Sequence, residues 1–181
     1  MARALAYLIH HIRTSPLRTS PLSGALVDKM HLAELNIAKP KFANDDPRFA
    51  GFIDNLNRIN ELGFTMPGFV WFHMDESGHA MDMPTPWPDA AANVSVWETP
   101  EHLEHFVWNT VHKQFYNRKH EWFDAMSSHH FVMWWVEEGH QPTLDEAKER
   151  LDYLDAHGNT DFAFNWAHLP HVKLWQTQQC G

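Results

Sequence analysis

Residues 95–139, SVWETPEHLEHFVWNTVHKQFYNRKHEWFDAMSSHHFVMWWVEEG, decide the fold of this chain. Their first part belongs to a strand, Asn93–Trp97, whose apolar and small polar residues alternate. Thr99-Pro100-Glu101 then starts a helix with a capping hydroxyl, a proline in the first turn and an acid at the positive end of the dipole. Leu103, Phe106, Val107, Thr110 and Val111 give that helix an apolar face, and it runs on through Trp122 and Phe123, with or without a break. Phe131–Val136 is a second strand, closed by Glu137-Glu138-Gly139. The stretch therefore reads as strand, long helical segment, strand, and it crowds six of the fifteen histidines and five of the nine tryptophans into that unit.

Working outward, His31–Ala38 alternates as a strand that Lys39-Pro40 closes. Asp45-Asp46-Pro47 predicts a capped helix through about Leu62, with Phe49, Phe52, Ile53, Leu56 and Ile59 as its apolar stripe. Pro67-Gly68 turns the chain into a strand at Phe69–Met74. Residues 75–91 contain Pro84, Pro86 and Pro88 and read as a loop. Thr143-x-x-Glu146 is a capping box for a helix at Thr143–His157, which ends at Gly158. Asp161–Trp166 is a candidate added strand, and the tail after Ala167 has no assignment. The order β-α-β-β-α-β predicts an α+β, ferredoxin-like domain: one antiparallel sheet with helices on one face. FVWFHM and FVMWWV are apolar on both sides, so the other sheet face also needs cover, and a second copy of the chain is the simplest one.

The chain divides by composition into residues 1–29, a domain at 30–167 and a tail at 168–181. Residues 1–29 carry Arg3, Arg13, Arg18 and Lys29 against one acid, Asp28, and repeat TSPL at 14–17 and 19–22. This reads as a disordered or non-native extension, with Met30 as an alternative start; its short apolar run is too brief to span a membrane. The whole chain carries a formal charge of −9. An acidic surface repels phosphate backbones and argues against nucleic acid as a partner. The single cysteine, Cys180, cannot form an intrachain disulfide and fits a reducing, cytoplasmic setting.

The phrases MHLAELNIAKPK, PGFVWFHMDESG, NVSVWET, HKQFYNRKHEWF and FVMWWVEEGHQPTLDEAKERLDYL resemble a bacterial family of domains of unknown function. That family is placed with the dimeric α+β-barrel proteins, relatives of the antibiotic-biosynthesis monooxygenases. The resemblance covers about residues 31–166. It implies a homodimer whose two sheets form a barrel, with a cavity between each sheet and its helices. It implies no particular activity, since superfamily members include cofactor-free oxygenases, haem proteins and non-catalytic binders.

His112 is the leading catalytic candidate. It sits in HKQFYNRKHEWF near Trp108, Tyr116 and Trp122, and helical spacing puts His105, His112, Tyr116 and Phe123 on one stripe. Such a histidine can act as a general base or ligate a haem iron; equally, it can be a boundary residue bonded to a backbone carbonyl. Arg118 and Lys119, with Arg48 from the first helix, are candidates for orienting an anionic or carbonyl group, or else they form a solvated face. Asn36, Trp71, Trp97, Trp108 and Trp122 are candidates for binding an aromatic substrate, with His73 beside them; the competing reading is core and interface packing. His102-x-x-His105 and His168-x-x-His171 have chelating spacing if helical, but nothing completes a third ligand, so no metal site is expected. Three functions follow. The chain is a cofactor-independent, monooxygenase-like enzyme acting on an aromatic or polyketide-like substrate, a haem-binding protein of the same fold, or a non-catalytic dimeric binding module.

Overall fold

The computed structural model describes residues 30–74, 83–174 and 176. The expected extension at 1–29, part of the expected loop (75–82) and Cys180 lie outside the described residues. The elements run β1 (Met30–Ala38), α1 (Ala50–Thr65), β2 (Phe69–Phe72), β3 (Ala91–Trp97), α2 (Pro100–Asn109), α3 (His112–Trp122), β4 (Phe131–Glu137) and α4 (Leu144–His157). A 3-10 turn follows at Trp166–His168. The four strands form one antiparallel sheet in the order β2-β3-β1-β4. The domain is α+β. Among the described residues, no helix is long and apolar enough to cross a membrane.

The sheet is buried on both faces, as its apolar strands require. Ala33, Leu35 and Ile37 of β1 join Val94 and Val96 of β3 and Trp134 of β4 on one face. Successive strand residues point to opposite faces, so Leu32, Glu34 and Asn36 look the other way, toward α1, α2 and α3. Here one expectation is corrected. Helices do not keep to one face: α4 lays Ala147, Leu151 and Leu154 over the Ala33–Leu35 side. Trp134 Nε1 donates to Glu146 Oε1 at 2.9 Å and ties the first turn of α4 to the sheet. The face that was expected to await a second copy is covered by the chain's own helix.

Local corrections have equally local causes. The helix expected from Asp46 begins at Ala50, because Asp46 Oδ1 accepts from Arg48 N at 2.9 Å and makes a turn instead of a cap. The long helical segment breaks at Thr110, whose backbone is extended. Its hydroxyl donates to Phe106 O (2.7 Å) and accepts from His112 N (3.1 Å), closing α2 and opening α3 with one side chain. Asp161–Trp166 is not a strand: only Phe164 makes an isolated bridge, to Met133 on β4. Thr99 and Thr143 cap α2 and α4 as expected, accepting from His102 N and Glu146 N. Within the unassigned tail after Ala167, Leu169 and Val172 are buried with Leu32, Leu103 and Phe164.

A candidate active-site cavity built on a buried carboxyl

Between the sheet and α1–α3 lies a cavity of about 550 Å³. Its floor is a ladder of cross-strand pairs from β1 and β3: Glu34 opposite Ser95, Asn36 opposite Asn93, Ala38 opposite Ala91. The alanines leave space where larger side chains would fill the cleft. The walls are apolar and aromatic, with Phe52, Leu56 and Ile59 from α1 and Phe106 and Trp108 from α2. From α3 come His112, Phe115 and Tyr116, placed there because the break at Thr110 redirects the chain.

Glu34 is the chemically distinctive residue. It is 3% exposed at the middle of β1, one of the two inner strands. Ser95 Oγ donates to Glu34 Oε1 at 2.5 Å, and Trp97 Nε1 in turn donates to Ser95 Oγ at 2.9 Å. Asn36 Nδ2 makes a longer contact, 3.4 Å, to Glu34 Oε2. Burial raises the Glu34 pKa to about 7, with the Ser95 and Asn36 hydrogen bonds pulling the other way. A carboxyl in that range beside an apolar cavity can both take and give a proton near neutral pH.

His112 lines the same cavity and behaves differently. Burial lowers its pKa to about 4, and a bond to a backbone carbonyl opposes this only in part. Because Val107 O can only accept, the 3.4 Å contact places the ring proton on Nδ1 and leaves Nε2 an acceptor. The imidazole is therefore neutral at pH 7. Its ring packs 4.9 Å from that of Phe106.

A family described as a domain of unknown function, DUF3291, matches residues 31–180. The chain belongs to the DUF3291 family. No curated protein matches it.

Within this DUF3291 domain, the residues singled out from the sequence part company. Asn36, Trp97, Trp108 and His112 line the cavity. Trp97 stacks on Phe106, and Trp108 stands edge-on to Tyr116. Trp71 does not reach it. An irregularity between Phe69 and Trp71 shifts the pairing of β2, so Trp71 packs with the cluster under α4 while Phe69 and Phe72 line the cavity. Trp122 is also absent from the lining; it is 2% exposed and packs over Gly51 and against Phe52 and Phe115. Arg118 points outward, with Nε and Nη2 bonded to the Glu121 carboxylate at 2.9 and 2.8 Å. It is an ion-paired surface group outside the cavity lining. Arg48 is engaged by Asp46 in the same way.

The histidine pairs separate too. His102 lies near Thr99 and Glu98 while His105 meets Asn109; His168 approaches Asp161 and His171 approaches Glu101. Among the described residues no three His, Cys, Asp or Glu side chains gather to hold a metal. Glu34 and Ser95 are cavity residues that were not among the candidates read from the sequence. Their signal was an acid at the centre of HLAELNIA, a strand otherwise apolar enough to be buried on both faces.

Proposed function

We propose that this domain binds a small, largely aromatic molecule and transfers a proton to or from it through Glu34. The observation that carries the reading is a buried carboxyl with a pKa near 7, hydrogen-bonded to Ser95 and facing a cavity walled by aromatic rings. Ionised Glu34 takes the proton from an acidic C–H or O–H. Ser95 holds the carboxylate oxygen, and Trp97 fixes the Ser95 hydroxyl. Neutral His112 is a hydrogen-bond acceptor in this scheme and not the base, because a group with a pKa near 4 is too weak at neutral pH.

The monooxygenase-like form of this function adds dioxygen as co-reactant: the deprotonated CH2 carbon becomes C=O and water is released. The protein's part remains a base and a dry pocket. The neighbour order β2-β3-β1-β4, antiparallel throughout, supports a ferredoxin-like sheet. The position of α4 favours a helix-covered sheet over a barrel shared with a second copy.

The test uses aromatic ketones and phenols bearing an exchangeable C–H in deuterated buffer, with label uptake followed by NMR. Wild-type protein is expected to accelerate exchange for at least one of them. Glu34→Gln should lower that rate by about 100-fold or more, and Arg118→Ala should leave it unchanged. Equal rates in wild type and Glu34→Gln would remove the assignment.

A second reading, haem binding, is favoured by one observation: His112 donates through Nδ1 to a backbone carbonyl, the arrangement that leaves Nε2 free for iron. Among the described residues, Lys119 is the lysine or arginine on the lining that could meet a propionate. Haemin added to the protein should then give a Soret band that His112→Ala abolishes. A spectrum identical to that of free haemin ends this reading.

A further inference from the structure

The rim of the cavity continues into a second, more open hollow of about 630 Å³, bounded by residues 126–131, Asp155 and residues 165–167. Met126, His130, Phe131 and Trp166 line both spaces, so the two adjoin. Three basic side chains gather at this junction of an otherwise acidic protein. Lys119 lines the inner cavity with its ammonium 4.0 Å from the centre of the Tyr116 ring, and among the described residues no carboxylate pairs with it. His130 belongs to both hollows, and burial together with the charges of Lys119 and His129 holds it below the ordinary histidine range. His129 is fixed by Asp155, whose Oδ1 meets its Nδ1 at 2.6 Å and its backbone N at 3.1 Å.

Like charges brought together each oppose the other's ionisation unless an anion sits among them. With a formal charge of −9, the protein's overall field does not attract anions, so any such preference must be local. Asp124 also lines the inner cavity, but its exposed carboxylate makes no ion pair with Lys119. The hydroxyl residues Ser127 and Ser128 line the outer hollow next to the histidines.

We propose that the ligand of this cavity carries a carboxylate seated at the junction on Lys119 and His130, with its apolar body in the inner cavity. The proposal rests on the small-molecule reading above and adds the charge class of the ligand. One full positive charge at neutral pH suits a monoanion better than a phosphate dianion. The ligand is then amphiphilic, with an aromatic end toward Trp97 and Phe106 and an acid at the mouth.

The test is calorimetric titration of the full chain with 3-phenylpropanoate and 6-phenylhexanoate, each beside its neutral primary amide. At least one acid is expected to bind about tenfold more tightly than its amide. Lys119→Met should erase that preference, bringing the acid's affinity level with that of its amide, and His130→Gln should reduce it. Arg118→Met removes a neighbouring charge from the outer side of the same helix and should change nothing. If Arg118→Met erases the preference as fully as Lys119→Met, the effect is a general surface field and the site is overturned. If acids and amides bind alike, the charge class is overturned while the cavity reading stands. Binding of none of the four overturns both.

Discussion

Glu34→Gln is expected to leave His112 without its opposing partner, so that the contribution of this buried pair to stability climbs as pH rises from about 4 to about 6.5. The reason lies in two opposed shifts. Glu34 titrates near 7 when folded against 4.5 ordinarily, so the folded state holds the extra proton between those values and stability falls with rising pH. His112 titrates near 4 against 6.5, so the unfolded state holds the extra proton and stability rises with pH across that window. Each shift is worth about 3 kcal/mol at 1.36 kcal/mol per pKa unit. Between about 4.5 and 6.5 the two contributions nearly cancel.

Removing one partner exposes the other. Urea denaturation of Glu34→Gln at pH 4.5, 6 and 8 should show rising stability and, at pH 8, a gain over wild type of about 3 kcal/mol. His112→Gln should show the reverse slope, losing stability from pH 4.5 to 7. Parallel curves for wild type and both variants would mean that neither group is held as described.

Leu151→Ala carries the second large expected effect, a loss of about 2–5 kcal/mol. Leu151 is 2% exposed and sits in the cluster that α4 forms with β1, β3 and β4. Truncation leaves a cavity directly over the sheet. Because the cover belongs to the same chain, the melting temperatures of wild type and variant should not depend on protein concentration. A melting temperature that rises with concentration, or a loss below about 1 kcal/mol, would return the role of cover to a second copy.

Much of the fold was legible because its signals are short-range. Thr99-Pro100-Glu101, Thr143-x-x-Glu146 and Gly158 each act over a few residues, and each marks a helix end in the structure. Which residues meet at the cavity depended on phase, and phase is fragile. Two non-helical residues at 110–111 separate α2 from α3, so a stripe counted straight from Leu103 to Phe123 loses register. Trp108 and Trp122 then fall in different environments although helical counting groups them. One irregularity in β2 sends Trp71 to the opposite face in the same way.

Glu34 escaped for another reason. Alternation says that it shares a face with Asn36, but only the pairing of β1 with β3 brings Ser95 across from it. That partner is sixty-one residues away, and no local pattern announces it. Arg118 could be read from the sequence as an orienting group or as part of a solvated face; the structure pairs it directly with Glu121, three residues on.

The bridge between Met133 and Phe164 has a consequence beyond local geometry. Sheets end in strands whose outer N–H and C=O groups invite pairing with a stranger. On β4 the chain returns after α4, exchanges two hydrogen bonds with Met133 (2.7 and 2.9 Å), and then buries Leu169 and Val172. On the opposite side β2 is only four residues long. One border of the sheet is thus met at Met133 by the segment around Phe164 and the other is kept short, so losing that segment would uncover a ready template for aggregation.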